Sequence, residues 1–334
     1  MDTLTHIVLG ATVGEIIAGK KIGKRAMIIG AVAQSLPDID FVAALWMSPA
    51  QYFFAHRGLT HSIVFILSAA VFLSWVINNF NSFKISFRHW FIFFFAQLLI
   101  HISIDSLNAY GVGWLEPFSH KRVSFDLLFV ADPFLSTSLA IACVALILLP
   151  TKSSARMKWA VLSTLMSVGY IFYAATNKLE AVKAVDQSFL ENKIYPTKTL
   201  ITPTPLNSWL WYVVAEVQGG YFIGYHSVFD RSRSFFQFFA KNDSLLNHLN
   251  NRPDTQSLIL LARDFYIVEQ RTDTLVFSNL RFGQVNGWTN PSARFIFRYN
   301  LNKPGNSFFT VQQGRFSGWN QQTWSDFLKR IEGN

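Results

Sequence analysis

The sequence predicts a mainly α protein: a polytopic helical membrane domain over residues 1–176, followed by a soluble α+β domain over residues 177–334. Three observations predict it. Half the chain is apolar, at 51% hydrophobic and 16% aromatic residues, and its mean hydropathy is +0.25. Only 15% of residues are charged, against about 25% in soluble domains. The apolar runs crowd into the first half, and the composition turns polar near Thr176, where a length suited to about two domains places a boundary.

Candidate spans lie at Leu4–Ala18, Ala26–Trp46, Ser62–Phe80, Trp90–Leu107, Phe134–Leu149 and Trp159–Thr176. A full crossing takes about 20 mostly apolar residues, which the third and fourth supply. The first is short, contains His6 and Glu15, and fits a re-entrant or half-inserted segment as well as a span. Pro37 and two aspartates break the second, which predicts a kink with one polar end. The start has an acid in place of a basic n-region and no small-residue cleavage site, so it does not read as a secretory signal.

Loop charges set the expected orientation. Alternate loops hold Lys20, Lys21, Lys24 and Arg25, then Lys84 and Arg88, then Lys152, Arg156 and Lys158, whereas the opposite loops hold Arg57, Lys121 and Arg122. The more basic side is cytoplasmic by the positive-inside rule. The amino terminus and, after six spans, the region beyond Thr176 are therefore expected outside. The net charge of +9 is scattered, with no basic stripe interleaved with aromatics. It is assigned to topology and to anionic lipid headgroups, and no nucleic-acid partner is expected. A single cysteine, Cys143, excludes an intramolecular disulfide framework and a cysteine-rich zinc site.

Beyond Asn177, strands are expected within Ser208–Asp230, Tyr266–Phe277, Arg294–Tyr299 and Ser307–Gln312, which are rich in β-branched and aromatic residues. Helical spacing marks Asp254–Phe265 and Thr323–Ile331. The proline-rich stretch Tyr195–Pro205 reads as a linker or an extended lead into the sheet.

Metal-ligand side chains sit inside or beside the apolar segments: Asp2, His6, Asp38, Asp40, His56, His61, His101, Asp105, Asp126 and Asp132. In the expected topology all fall at the outer ends of their segments, and Glu15 alone lies inward. An ionisable group in lipid is costly unless paired or bound, so it marks a functional site by default. His101 and Asp105, like Asp2 and His6, stand four residues apart and share a helix face. His56 and His61 would diverge by about 140° on a regular helix, so Gly58 suggests a turn, with Thr60 capping the next helix. Neutral imidazoles suit Zn, Fe, Ni or Mn, and the added carboxylates allow one or two divalent ions. Duller readings stand beside these. Asp132 precedes Pro133 and suits a helix N-cap equally. Asp126 fits a solvated acid, and Asp2 a surface acid at the first turn. Arg57 suits either a substrate anion or an ion pair within the site. His226 and His248 have no acidic or histidine company. A structural polar network between helices is the alternative for the whole set.

The same residues carry a resemblance. Met1-Asp2-Thr3-Leu4-Thr5-His6, Leu36-Pro37-Asp38-Ile39-Asp40, His56-Arg57-Gly58-Leu59-Thr60-His61-Ser62 and His101-Ile102-Ser103-Ile104-Asp105 resemble the LexA-regulated, membrane-bound, predicted metal-dependent hydrolases typified by YdjM, over about residues 1–180. The resemblance implies a multi-pass bacterial inner-membrane protein with a metal-dependent hydrolase site. The second half, including Pro203-Thr204-Pro205-Leu206-Asn207-Ser208-Trp209, is similar to an extension carried by some members. The order of the histidines and aspartates is more distantly similar to zinc-dependent phospholipase C and P1-type nucleases, although Asp40 and His56 stand sixteen apart and a later HxxxE is missing.

The expected function is a hydrolase at the outer face of the membrane. His6, Asp40, His56, His61, His101 and Asp105 would hold the metal, with zinc the expected ion, and Asp38 would act as general base. Asp2, Arg57, Asp126 and Asp132 would support them. A site at headgroup depth favours a lipid-linked or phosphorylated substrate, with the bilayer as partner. The alternatives are a metal or proton transporter, or a membrane-anchored binding protein using Trp209, Trp211, Tyr212, Tyr221, Phe222 and Tyr225 as its surface.

Overall fold

A computed structural model describes the chain except residues 48–51, 53, 54, 81–84, 248, 250–252, 272, 273, 302–308, 313–315, 317 and 334. Expectations that rest on Lys84, His248 and the start of the last strand at Ser307 lie outside the described residues. The chain divides into two compact units, one of Met1–Val42, Ala55–Ala174 and Pro205–Asn207, the other of Ala43–Phe54, Ala175–Thr204 and Ser208–Asn334.

The first unit is helical. Helix α1 (Thr3–Ile22) starts at Asp2, whose side chain accepts the Thr5 amide at 3.0 Å. It packs closely on α2 (Arg25–Ser35), because a side chain on Gly10 would strike the Gly30 backbone and one on Gly14 the Ala26 backbone. Small residues of this kind let two helix backbones approach in an apolar environment. Pro37 cannot donate to the preceding turn; after α2 the chain bends by 50° into a 3₁₀ helix, Pro37–Leu45. A short 3₁₀ turn, Leu59–His61, precedes α3 (Ile63–Phe80), and α4 (Phe87–Asp105) follows. Ile66, Ala70, Trp90, Phe93 and Leu98 form the apolar core with Ala26 and Ala33. Helix α5 (Pro133–Leu148) has Asp132 as cap and Pro133 in its first turn.

Helix α6 (Ala155–Glu191) runs 37 residues. The sequence ends its fifth-to-sixth pair of spans at Thr176, where apolarity stops, but helicity does not stop there. Asn177, Ala181, Val185 and Ser188 are buried at spacings of three and four, the period of one helix face. Among the described residues, α3, α4 and α6 are long and apolar enough to cross a membrane, and the bent α2 pair makes up to four. Helix α5 is apolar but has 16 residues, and α1 carries Glu15, Lys20 and Lys21.

The second unit holds two antiparallel four-stranded sheets in sequential order. The first comprises β1 (Lys198–Pro203), β2 (Leu210–Val217), β3 (Gly220–Ser227) and β4 (Phe236–Ala240). The second comprises β5 (Tyr266–Arg271), β6 (Thr274–Gln284), β7 (Phe295–Leu301) and β8 (Phe309–Gln312). Gly219, at φ +82°, makes the tight β2–β3 turn, a conformation glycine adopts without steric cost. Leu210, Tyr212, Ile223, Ile267, Leu280 and Phe295 form the core, and α8 (Gln321–Glu332) adds Phe327; α7 (Pro253–Ala262) completes the unit. Trp211, Tyr212, Tyr221 and Tyr225 are buried, so four of the six aromatics expected to offer a binding surface are core instead.

Candidate metal centre

The last turn of α4 supplies His101 and Asp105, both fully buried. The His101 Nδ1–H donates to the Gln34 carbonyl at the end of α2, which leaves the lone pair on Nε2. His61, on the 3₁₀ turn, sets its Nδ1 3.0 Å from the Thr60 hydroxyl. That hydroxyl donates to Asp40 Oδ2 at 3.0 Å, so its oxygen accepts from His61 Nδ1–H and a second lone pair is left on His61 Nε2. The two Nε2 atoms are 3.1 Å apart. Asp38 Oδ1 lies 3.4 Å from His61 Nε2 and 3.7 Å from His101 Nε2; Asp105 Oδ2 lies 3.5 and 3.7 Å from the same atoms.

These separations test the fit of a cation. Tetrahedral ligands at 2.0–2.1 Å from zinc stand about 3.3 Å from one another, and the five distances here run from 3.1 to 3.7 Å. Two imidazole lone pairs and two carboxylates this close repel without positive charge between them. The donor set fits a divalent metal. A second group joins it: Asp38, Asp40 and His56 also offer ligand atoms within 4.8 Å of one another, so Asp38 belongs to both. His56 Nδ1–H donates to Asp40 Oδ1 at 2.8 Å, the carboxylate–histidine pairing that orients metal-binding rings.

The surroundings position these groups. Asp40 Oδ2 accepts the Arg57 amide at 2.8 Å, and Arg57 takes a positive φ of 61° to present it. Arg57 is buried, with Nε 3.1 Å from Asp105 Oδ2 and a guanidinium N–H donated to Asn108 Oδ1 at 3.0 Å. Of its two expected duties, an ion pair within the site is the one seen. The Met1 amine also lies against Asp105. His6 Nε2 is 3.1 Å from Asp105 Oδ1, and its ring stacks on His101 at 3.9 Å. It adjoins the inner group without being one of its four members.

Other expected members serve elsewhere. Asp2 is the α1 cap and belongs to neither ligand group. Asp132 accepts the Phe134 and Leu135 amides at 3.0 and 3.3 Å and the Tyr170 hydroxyl at 2.8 Å, so it is the N-cap that Pro133 suggested. Asp126 accepts the Ser124 hydroxyl at 2.7 Å and belongs to neither group. Thr60 does not cap α3; Ser62 does, accepting the Phe65 amide at 3.1 Å. Three contributors went unread in the sequence: the Gln34 carbonyl, the Thr60 hydroxyl and Arg122. Arg122 donates to the His56 and Arg57 carbonyls at 2.9 and 2.8 Å and so pins their loop. Burial pulls its guanidinium down to about 10, against the opposing pull of Glu116, and leaves it cationic at neutral pH.

The chain is 34% identical over 145 residues to the uncharacterized protein YfhP of Bacillus subtilis (strain 168), covering 41% of this chain and 44% of that protein. It is 29% identical over 121 residues to the inner membrane protein YbcI of Escherichia coli (strain K12), covering 36% of this chain and 69% of the relative. The chain thus spans less than half of the first relative's length and about two thirds of the second. No solved structure matches. A family model described as YdjM inner membrane protein matches residues 1–181, which include every residue of both ligand groups. The chain belongs to the YdjM inner membrane protein family.

Proposed function

We propose that the chain is a membrane-embedded, metal-dependent hydrolase whose site opens at the outer face of the cytoplasmic membrane. The observation that carries this reading is the cage of His61, His101, Asp38 and Asp105 atoms at metal–ligand spacing. When bound, a divalent ion such as zinc makes water a nucleophile near neutral pH. His101 and His61 would offer their Nε2 lone pairs to the ion, because Gln34 and Thr60 occupy the opposite ring nitrogens. Arg57 balances part of the acid charge through Asp105. Asp38 is the most exposed acid of the inner group, with 24% of its side chain accessible.

Membership of both ligand groups favours a different duty for Asp38 from the general base expected from sequence. It would be the carboxylate shared by two ions. Ile39 and Phe41 flank Asp40 and are 52% and 64% exposed, which suits a substrate delivered from the bilayer, such as a lipid-linked phosphoester. A transporter needs polar groups leading away from the site. Toward the other end, Glu15 is instead locked to Arg156 by bonds of 2.9 and 2.7 Å.

The test is Asp38→Asn in purified protein, with metal content and turnover of phospholipids and lipid pyrophosphates measured together. Loss of a shared ligand lowers both in step. A base alone would leave metal content intact while turnover falls by about 10² to 10⁴. Full activity and full metal content would remove Asp38 from the site.

A further inference from the structure

At the far end of α1 and α2 lies a second feature that the metal centre does not use. A cleft of about 720 Å³ opens where the α1–α2 turn meets the start of α6. Its floor is the Glu15–Arg156 pair, with Arg156 only 2% exposed. Arg156 also donates to the Leu146 and Leu149 carbonyls, and Lys24 to the Ile147 carbonyl. These bonds satisfy the otherwise orphaned carbonyls of the α5 end and tie three chain segments into one wall. Gly23, at φ +62°, makes the turn tight enough to close the other side.

The lining is electrostatically unbalanced. Glu15 is matched by Arg156, which leaves Lys20, Lys21 and Lys152 around the mouth with no further acid among the lining residues. Thr151 and Ser154 add hydroxyl donors. Loop basicity of the positive-inside kind accounts for cations near a membrane. It does not account for three lysines gathered round a concave site built on a neutralised pair. In the six-span arrangement expected from the sequence, the cleft stands at the cytoplasmic ends of its helices, where cations attract anionic headgroups.

We propose that this cleft binds a phosphate-bearing anion, independently of the metal centre. The group is supplied either by an anionic phospholipid headgroup or by a soluble phosphate, and the charge pattern serves both.

Full-length protein in detergent would be equilibrated with phosphatidylglycerol or phosphatidylcholine, and retained lipid counted by native mass spectrometry. Phosphatidylglycerol should be retained over phosphatidylcholine. Lys21→Ala with Lys152→Ala should weaken that retention roughly tenfold, at about 1 kcal/mol for each charge with partial compensation by the others. Arg88→Ala with Lys158→Ala, equal in charge but outside the cleft, should leave it unchanged. Displacement of the lipid by inorganic pyrophosphate supports the proposal with a soluble source. Selective retention without displacement supports it with a headgroup source. Equal loss in both double variants would reduce the effect to bulk charge and overturn the proposal. Equal retention of both lipids, with no pyrophosphate binding by titration, would overturn it as well.

Discussion

At the scale of residues, the legible part of the site was the part carried by local spacing. His101 and Asp105 stand one turn apart on a helix, and the structure keeps both in its last turn. The ring orientations were not legible, because they depend on partners far away in sequence. The Gln34 carbonyl is 67 residues from His101, and Asp40 is 20 from Thr60. Thr60 looked like a helix cap because caps and ligand-orienting hydroxyls use the same side chains. Its bonds to Asp40 and His61 predict that Thr60→Val, which keeps the shape and removes the hydroxyl, weakens metal binding about 10- to 100-fold. Competition with a chelator of known affinity measures this. Unchanged affinity would return Thr60 to a purely local role.

At the scale of elements, apolar periodicity located the helices better than their ends. Thr176 marked the end of apolarity in α6 but not of its hydrogen bonding, since Leu179, Ala181 and Ala184 favour helix as strongly as the apolar run does. β4 was missed because Phe236–Ala240 is short and partly exposed, with no clean alternation to announce it. The stretch read as a linker or a lead into the sheet contains β1, whose pairing with β2 comes from residues up to 18 positions further on. β3 carries a titratable group with a readable consequence. His226 is hydrogen-bonded to Ser234 at 3.0 Å and lies 3.4 Å from Asp230, which Arg330 also holds. Burial lowers its pKa below 6.5, outweighing the upward pull of Asp230, and Arg330 lowers it further. The unfolded chain therefore takes up this proton at a higher pH than the folded one. The contribution to stability is present above about pH 6.5, the unfolded value, and declines as pH falls below it. Melting of the second unit between pH 7.5 and 5 should show this decline, and His226→Gln should flatten it. An identical slope in the variant would assign the acid sensitivity to other groups.

At the scale of the whole molecule, the membrane reading rests on family membership and on three helices among the described residues that are long and apolar enough to cross, or four with the bent pair. The proposed outward orientation rests on the six-span reading and on charge: the sequence assigns nine basic residues to one set of connections between spans and three to the other. Reporter fusions at residue 22 and at the carboxyl terminus should therefore behave oppositely, with the residue 22 fusion cytoplasmic. A cytoplasmic carboxyl terminus would move the second half inside and remove the basis for placing the metal site at the outer face.

The central claim is that four atoms converge on a metal, and metal analysis of the detergent-purified full-length protein tests it most directly. The account predicts stoichiometric divalent metal in the native chain, loss of it in His61→Ala and in His101→Ala, and retention in His226→Ala. Equal metal content in all of these variants, each folded and inserted in the membrane, would contradict it and leave the cluster a polar network between helices.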